Sequence, residues 1–200
     1  MDRRILKKKH LPDPRGVHWE ADQRILMHPL KTILTKINST HLKAKHYKIM
    51  EPFQVRPYTS ADYPALCRLD AVLFEGMGGH VLFRHIEELF RDLFFVAETI
   101  GTQEIVGYIL GGVHFDDPKI GKLIRIGVKS DFRRIEAGTQ LTSALFCEMR
   151  KHGVKKVHLT VADTNSAAVS FYLKNGFLIK NRVDKYFYPD ISRLILEKDL

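Results

Sequence analysis

The chain has 200 residues, 44% of them hydrophobic, which suits one domain of ordinary size with a sizeable core. No apolar run approaches the ~20 residues that a membrane-spanning helix needs, and the charged start, residues 1–9, has no apolar segment behind it, which argues against a secretory signal. The net charge of +9 is unevenly placed: residues 1–50 hold 12 Lys and Arg against 4 Asp and Glu, whereas residues 51–200 hold 20 against 19. The basicity therefore belongs to an N-terminal extension, and the near-neutral remainder gives no reason to expect an acidic partner at its site.

Cys67 and Cys147 show no metal-ligand spacing and read as buried thiols of a reducing compartment, the cytoplasm, rather than as a disulfide. In residues 1–50, Pro12, Pro14 and Gly16 break the early stretch, and Leu30, Ile33, Leu34 and Ile37 recur at helical spacing in a basic surround. Three readings stand side by side there: a partly helical solvated tail, an arm that docks on nucleic acid or membrane lipid, and a targeting presequence.

From residue 51 the pattern becomes globular. Residues 53–56 alternate like a strand, and Thr59-Ser60-Ala61-Asp62 opens a helix running through Leu69. Residues 75–79 form a glycine-rich link, followed by a helix with Val81, Leu82, Ile86 and Leu89 on one face. Strands are expected over 93–98, 105–113 and 123–128, the last two joined at the turn Asp116-Asp117-Pro118. His114, Asp116 and Asp117 belong to that turn, and no metal is expected. A helix with Leu141, Leu145 and Met149 on one face ends at Gly153. A strand over 157–161, a helix over 166–174 closed by Asn175-Gly176, and strands near 177–180 and 193–197 complete the chain. This order predicts an α/β fold, a mixed and mostly antiparallel sheet of six or seven strands flanked by about four helices.

Two motifs carry chemistry. The first is a strand, Leu123 to Val128, leading through a loop into a helix that begins near Ala137-Gly138-Thr139. A helix N-terminus offers unpaired amide donors and partial positive charge to a pyrophosphate, and Arg133 and Arg134 add charged donors. The second runs from Asn165 to Phe177, with Asn165 as a helix cap and Tyr172 two turns further on.

In this order and spacing the motifs closely resemble the GNAT acyltransferases. The family's apolar-Gly-Val triplet is matched by Ile126-Gly127-Val128, its phosphate loop by Arg133-Arg134-Ile135-Glu136-Ala137-Gly138, and its closing segment by Asn165 and Tyr172-Leu173-Lys174-Asn175-Gly176-Phe177. The resemblance spans residues 53–200, and the look is closest to enzymes that acetylate protein N-termini. It implies transfer of acetyl from acetyl-CoA to an amine of a protein or peptide. Amides of Ile126, Gly127 and Val128 would hold the pantetheine arm and acetyl carbonyl. Those of residues 134–139, including Ile135, Ala137 and Thr139, would hold the pyrophosphate, and Asn165 would add a side-chain contact. Tyr172 takes the place of the general acid. Tyr186 and Tyr188, expected in the loop before the last strand, stand where relatives grip the peptide.

Two departures accompany the match. Glu136 occupies the position of a loop glycine, and a carboxylate ~4–6 Å from a pyrophosphate would cost on the order of 3–4 kcal/mol. Replacing it by Gly is expected to tighten cofactor binding and loosen the helix start. The family's usual base positions hold Lys122, Ile124 and Thr160, which leaves His158, on the same strand face as Thr160, as the substitute. The alternative reading is a catalytically weak GNAT-fold binding module recruited through its basic arm.

Overall fold

The structure is a computed structural model that describes residues 51–200 except Met77, Arg134, Tyr188 and Pro189. The expectations for residues 1–50, Arg134 and Tyr188 lie outside the described residues. The strands are β1 (Phe53–Pro57), β2 (Phe94–Thr99), β3 (Ile105–Val113), β4 (Ile120–Val128), β5 (Lys156–Ala162), β6 (Leu178–Phe187) and β7 (Ile191–Asp199). The α-helices are α1 (Tyr63–Leu73), α2 (Gly79–Leu89), α3 (Ala137–Lys151) and α4 (Ser166–Lys174). The strands form one sheet in the order β1-β2-β3-β4-β5-β7-β6, antiparallel throughout except between β4 and β5.

Each face of the sheet has its own core. On one, Leu141, Leu145, Phe146 and Met149 of α3 meet Val157, Leu159, Leu196 and Phe177. Full burial of each such side chain contributes about 1.5–3 kcal/mol. On the other, Leu66 and Leu69 of α1 and Phe83 and Ile86 of α2 cover Phe94, Val96, Tyr108 and Leu110. No member of this second buried cluster comes from β5, β6 or β7, so that half of the face stays uncovered among the described residues.

α1 starts where the sequence places it. Thr59 and Asp62 form a capping box, and Pro64 lies in the first turn, where its missing N–H costs nothing. Asp62 also binds Arg56 at 2.7 Å, and Arg56 reaches Glu98 at 2.7 Å, which ties the helix start to β1 and β2.

Several expectations need correction. The buried face of α2 is Phe83 and Ile86; Val81 and Leu89 are 50% and 69% exposed, so the apolar stripe is rotated from the expected one. Neither cysteine is fully buried: Cys67 is half-buried and Cys147 exposed on α3, because the core side of that helix is already filled by Leu145 and Met149. Tyr186 lies inside β6 rather than in a loop, since β6 and β7 form a hairpin longer than their apolar residues reveal. The turn at Asp117 holds as expected, its Oδ1 accepting from the Lys119 amide at 2.9 Å.

Candidate active site

β4 and β5 run parallel for three residue pairs only, Ile120–Lys156, Gly121–Val157 and Lys122–His158, after which β4 continues to Val128 and β5 to Ala162 without pairing. The strands diverge into a V whose β4 arm carries Ile126, Gly127 and Val128. A register shift against β3 accompanies the divergence: Leu110 faces Arg125 while Gly111 faces Leu123, leaving Ile124 as the extra residue of a bulge. Backbone amides on the V side of β4 therefore lack a strand partner, and an extended amide-bearing arm can pair there as a strand would.

A buried ionic cluster fixes the β4 arm. Asp70 of α1 accepts from the Tyr108 hydroxyl and from Arg125, Nε at 2.8 Å and Nη2 at 3.1 Å. The Arg125 guanidinium lies 3.9 Å from the Phe74 ring centroid. A methyl group on Gly79, at the start of α2, would sit 1.8 Å from Asp70 Oδ2, so the carboxylate is walled in on that side too. Burial, reinforced by the Asp70 carboxylate, holds the Tyr108 hydroxyl protonated far above its ordinary range. Above this cluster Gly127 admits no side chain: a Cβ would meet Tyr108 at 2.7 Å and Leu73 at 2.9 Å.

The loop after β4 delivers a helix N-terminus to the same region. Arg133 Nε donates to the Val128 carbonyl at 2.9 Å and ties the loop to the strand end. Ile135 is half-buried and packs on the core beneath the loop. Glu136 adopts φ +69°, ψ −2°, the left-handed region that glycine occupies freely, and its side chain is exposed. A glycine-like conformation is thus retained without the glycine. This reverses one expectation: Gly at 136 suits the observed backbone better than Glu, so the replacement should firm the helix start. Ala137, Gly138 and Thr139 open α3 and present its unpaired amides. A Cβ on Gly138 would press the Phe171 ring at 3.1 Å, so the small residue lets α3 and α4 close together.

Asn165 caps α4, its Oδ1 accepting from the Ala168 amide at 3.0 Å, and its exposed side chain keeps an amide nitrogen free to donate. Tyr172, 7% exposed, packs edge-on against Phe171 and Phe177, with ring centroids 5.4 and 5.7 Å away. Its hydroxyl bonds to no described residue. Burial pushes the Tyr172 pKa up to about 12, against the opposing charge of Arg193. It therefore holds its proton across the neutral range. His158 closes the V at its last rung, with Nε2 buried 3.1 Å from Glu197 Oε1 but outside hydrogen-bonding geometry. Burial lowers its pKa from the ordinary histidine range, against the opposing charge of Glu197, and so favours the neutral ring. Tyr186 is exposed on β6 beside Phe187, centroids 4.9 Å apart.

Three residues here escape the motif reading: Asp70, Arg125 and Arg193. Each left a trace, being a charge set among apolar neighbours: Asp70 beside Leu66, Leu69 and Leu73, Arg125 within Ile124 to Val128, and Arg193 within Ile191 to Leu196.

A split parallel pair, a glycine-lined strand arm, a helix N-terminus beside it and a protonated tyrosine define a fold that cradles an acylated coenzyme. Residues 61–177 match the Acetyltransferase (GNAT) family, and the chain belongs to it as an acetyltransferase that uses acetyl-CoA. It is 27% identical over 149 residues to an N-alpha-acetyltransferase of Sulfurisphaera tokodaii, covering 69% of this chain and 87% of that one. Its fold is similar to Ard1 from Thermoplasma volcanium, with a TM-score of 0.67 at 21% identity over 74% of this chain and 97% of that one. It is also similar to Arabidopsis thaliana Naa50 in complex with a bisubstrate analogue, with a TM-score of 0.64 at 19% identity over 74% of this chain and 99% of that one.

Proposed function

We infer that the acceptor is an amine of a protein or peptide, and that the V between β4 and β5 is where it meets the acetyl group. Bound acetyl-CoA supplies an activated thioester whose C–S bond breaks as the C–N bond to the amine forms. The residues fit it: the amides of Ile126 and Val128 on the open side of the β4 arm, the α3 amides from Ala137 to Thr139, and a Gly127 position that a side chain would fill. Tyr172, protonated and without a competing bond, donates its proton to the departing sulfur. His158, whose burial favours the neutral ring, is our candidate to accept the proton that the amine releases. Tyr186 and Phe187 offer an aromatic wall to a peptide on the uncovered face of β5 to β7. The two free thiols accord with a reducing compartment, and we place the reaction in the cytoplasm.

The observation that carries this reading is the Tyr172 side chain, 7% exposed and with a hydroxyl that bonds to no described residue. The reading is supported by the likeness to an N-alpha-acetyltransferase over most of both chains. Acetyl-CoA and a peptide library analysed by mass spectrometry give the direct test, with acetylation expected on peptide amines. Tyr172→Phe keeps the ring's packing and removes the donor, so kcat should fall about 10²–10⁴-fold with little change in the acetyl-CoA Kd. Full kcat in that variant would reduce Tyr172 to a core residue.

A further inference from the structure

Arg193 is placed where a substrate-selecting cation would be. It lies on β7 opposite Ala162 of β5 and Val183 of β6, and its Nη2 reaches over β5 to the Thr160 carbonyl at 2.6 Å and the Thr160 hydroxyl at 3.3 Å. Thr160 is two residues beyond the last β4–β5 rung, so the guanidinium stands on the β5 arm of the V. The Phe187 ring centroid is 5.3 Å from it, and its charge is felt at Tyr172 and Tyr186.

What distinguishes Arg193 is the absence of an anion. The other two arginines with largely buried side chains each hold carboxylates: Arg56 binds Asp62 and Glu98, and Arg125 binds Asp70. Among the described residues no carboxylate pairs with Arg193, and its Nε is buried without an acceptor. Burial disfavours its charged form, yet a guanidinium stays protonated in proteins. A desolvated cation with an unsatisfied donor is unfavourable unless something supplies the counter-charge. At this position that something is the acceptor, a reading that rests on the acetyl transfer inferred above.

We propose that Arg193 selects acceptors bearing a carboxylate close to the reacting amine, as in a peptide whose first residue is Asp or Glu. The fork of Nε and the nitrogens beyond it suits a carboxylate better than a point charge would. Phe187 beside it shields the pair from water, which strengthens the attraction. Thr160 holds the fork in place.

The test compares peptides identical except for a first residue of Asp, Glu, Asn, Gln or Lys, together with free aspartate. Intact enzyme and the Arg193→Gln and Arg193→Lys variants are assayed in parallel. The intact enzyme should show kcat/KM at least tenfold higher for Asp or Glu than for Asn or Gln. Arg193→Gln should bring that ratio close to one, with the melting temperature and acetyl-CoA Kd retained. Arg193→Lys should restore part of the ratio, since it keeps the charge and loses the fork. A ratio near one in the intact enzyme, or an undiminished ratio in Arg193→Gln, overturns the proposal. So does a uniform loss on every peptide accompanied by a lower melting temperature, which would make Arg193 a strap for β5. Free aspartate outrunning every peptide would uphold the carboxylate and overturn the peptide. Acetylation of peptides without acidic preference leaves the inferred transfer standing and removes this proposal alone; no acetylation of any amine removes both.

Discussion

Single residues decide how well this enzyme holds its cofactor and its own shape. Glu136 keeps a left-handed backbone that costs a non-glycine residue about 1–2 kcal/mol, with no Cβ-free compensation. Glu136→Gly should therefore raise stability in urea unfolding by about 1 kcal/mol. The exposed carboxylate has room to turn from a bound pyrophosphate, so the acetyl-CoA Kd measured by calorimetry should tighten by about tenfold or less, that is by no more than ~1.4 kcal/mol. Both quantities move in the favourable direction; weaker acetyl-CoA binding would mean that this loop does not hold phosphate as inferred, and lower stability would mean that the left-handed backbone at 136 is not the strain described. Asp70 is the opposite kind of residue, a buried charge whose removal strands Arg125. Asp70→Ala should cost about 3–5 kcal/mol of unfolding free energy, read from the denaturation midpoint, far beyond a surface ion pair. The capping box at Thr59 and Asp62 was legible because its chemistry is local. Asp70 and Arg125 are 55 residues apart and meet only because α1 packs on the sheet beside β4, which no spacing in the sequence encodes.

Elements set the geometry between those residues. β4 is the element on which everything converges: the bulge at Ile124 turns its far half, Gly127 lets α1 and Tyr108 press against it, and Arg133 fastens its end. Gly127→Ala would drive a methyl into Tyr108 and Leu73, at an expected cost of about 1–3 kcal/mol in thermal or urea unfolding. Because the displaced backbone is the one proposed to pair with the cofactor arm, acetyl-CoA affinity should fall with it. An unchanged Kd in a folded Gly127→Ala protein would detach β4 from cofactor binding. Helix periodicity in α3 and the cap and glycine stop of α4 made those two elements readable to within a residue or two, since burial and capping both act at short range. α2 was misread by face because Phe83, not Val81 or Leu89, meets Phe94 and Tyr108, with ring centroids 5.8 and 5.3 Å away. β6 was underestimated because an edge strand with mostly exposed side chains shows no apolar alternation.

For the molecule as a whole, the charge divides at about residue 50, where twelve basic residues against four acidic give way to near balance. A chain that begins at Met50 should keep the melting temperature and the acetyl-CoA Kd of the full chain, measured side by side. Failure of that chain to fold would make the first 49 residues part of the domain rather than an arm. The family was legible because its motifs sit on one strand end and two helix starts, whereas the uncovered face that would receive the acceptor depends on which strands α1 and α2 leave bare. That is a property of tertiary placement, and only the assembled sheet reveals it.

The short seam between β4 and β5 also governs cohesion. With three rungs joining a four-stranded panel to a three-stranded one, the sheet has its fewest rungs along the line where acetyl transfer is proposed. Behind that seam a single core cluster bridges the panels through α3, with Val106 and Ile109 on one side and Val157, Leu159 and Leu196 on the other. A ligand lying in the V touches both panels and adds its binding free energy to that join. An acyl donor seated in the proposed V would thus be mortar as well as reagent, firming the join between two halves of one sheet.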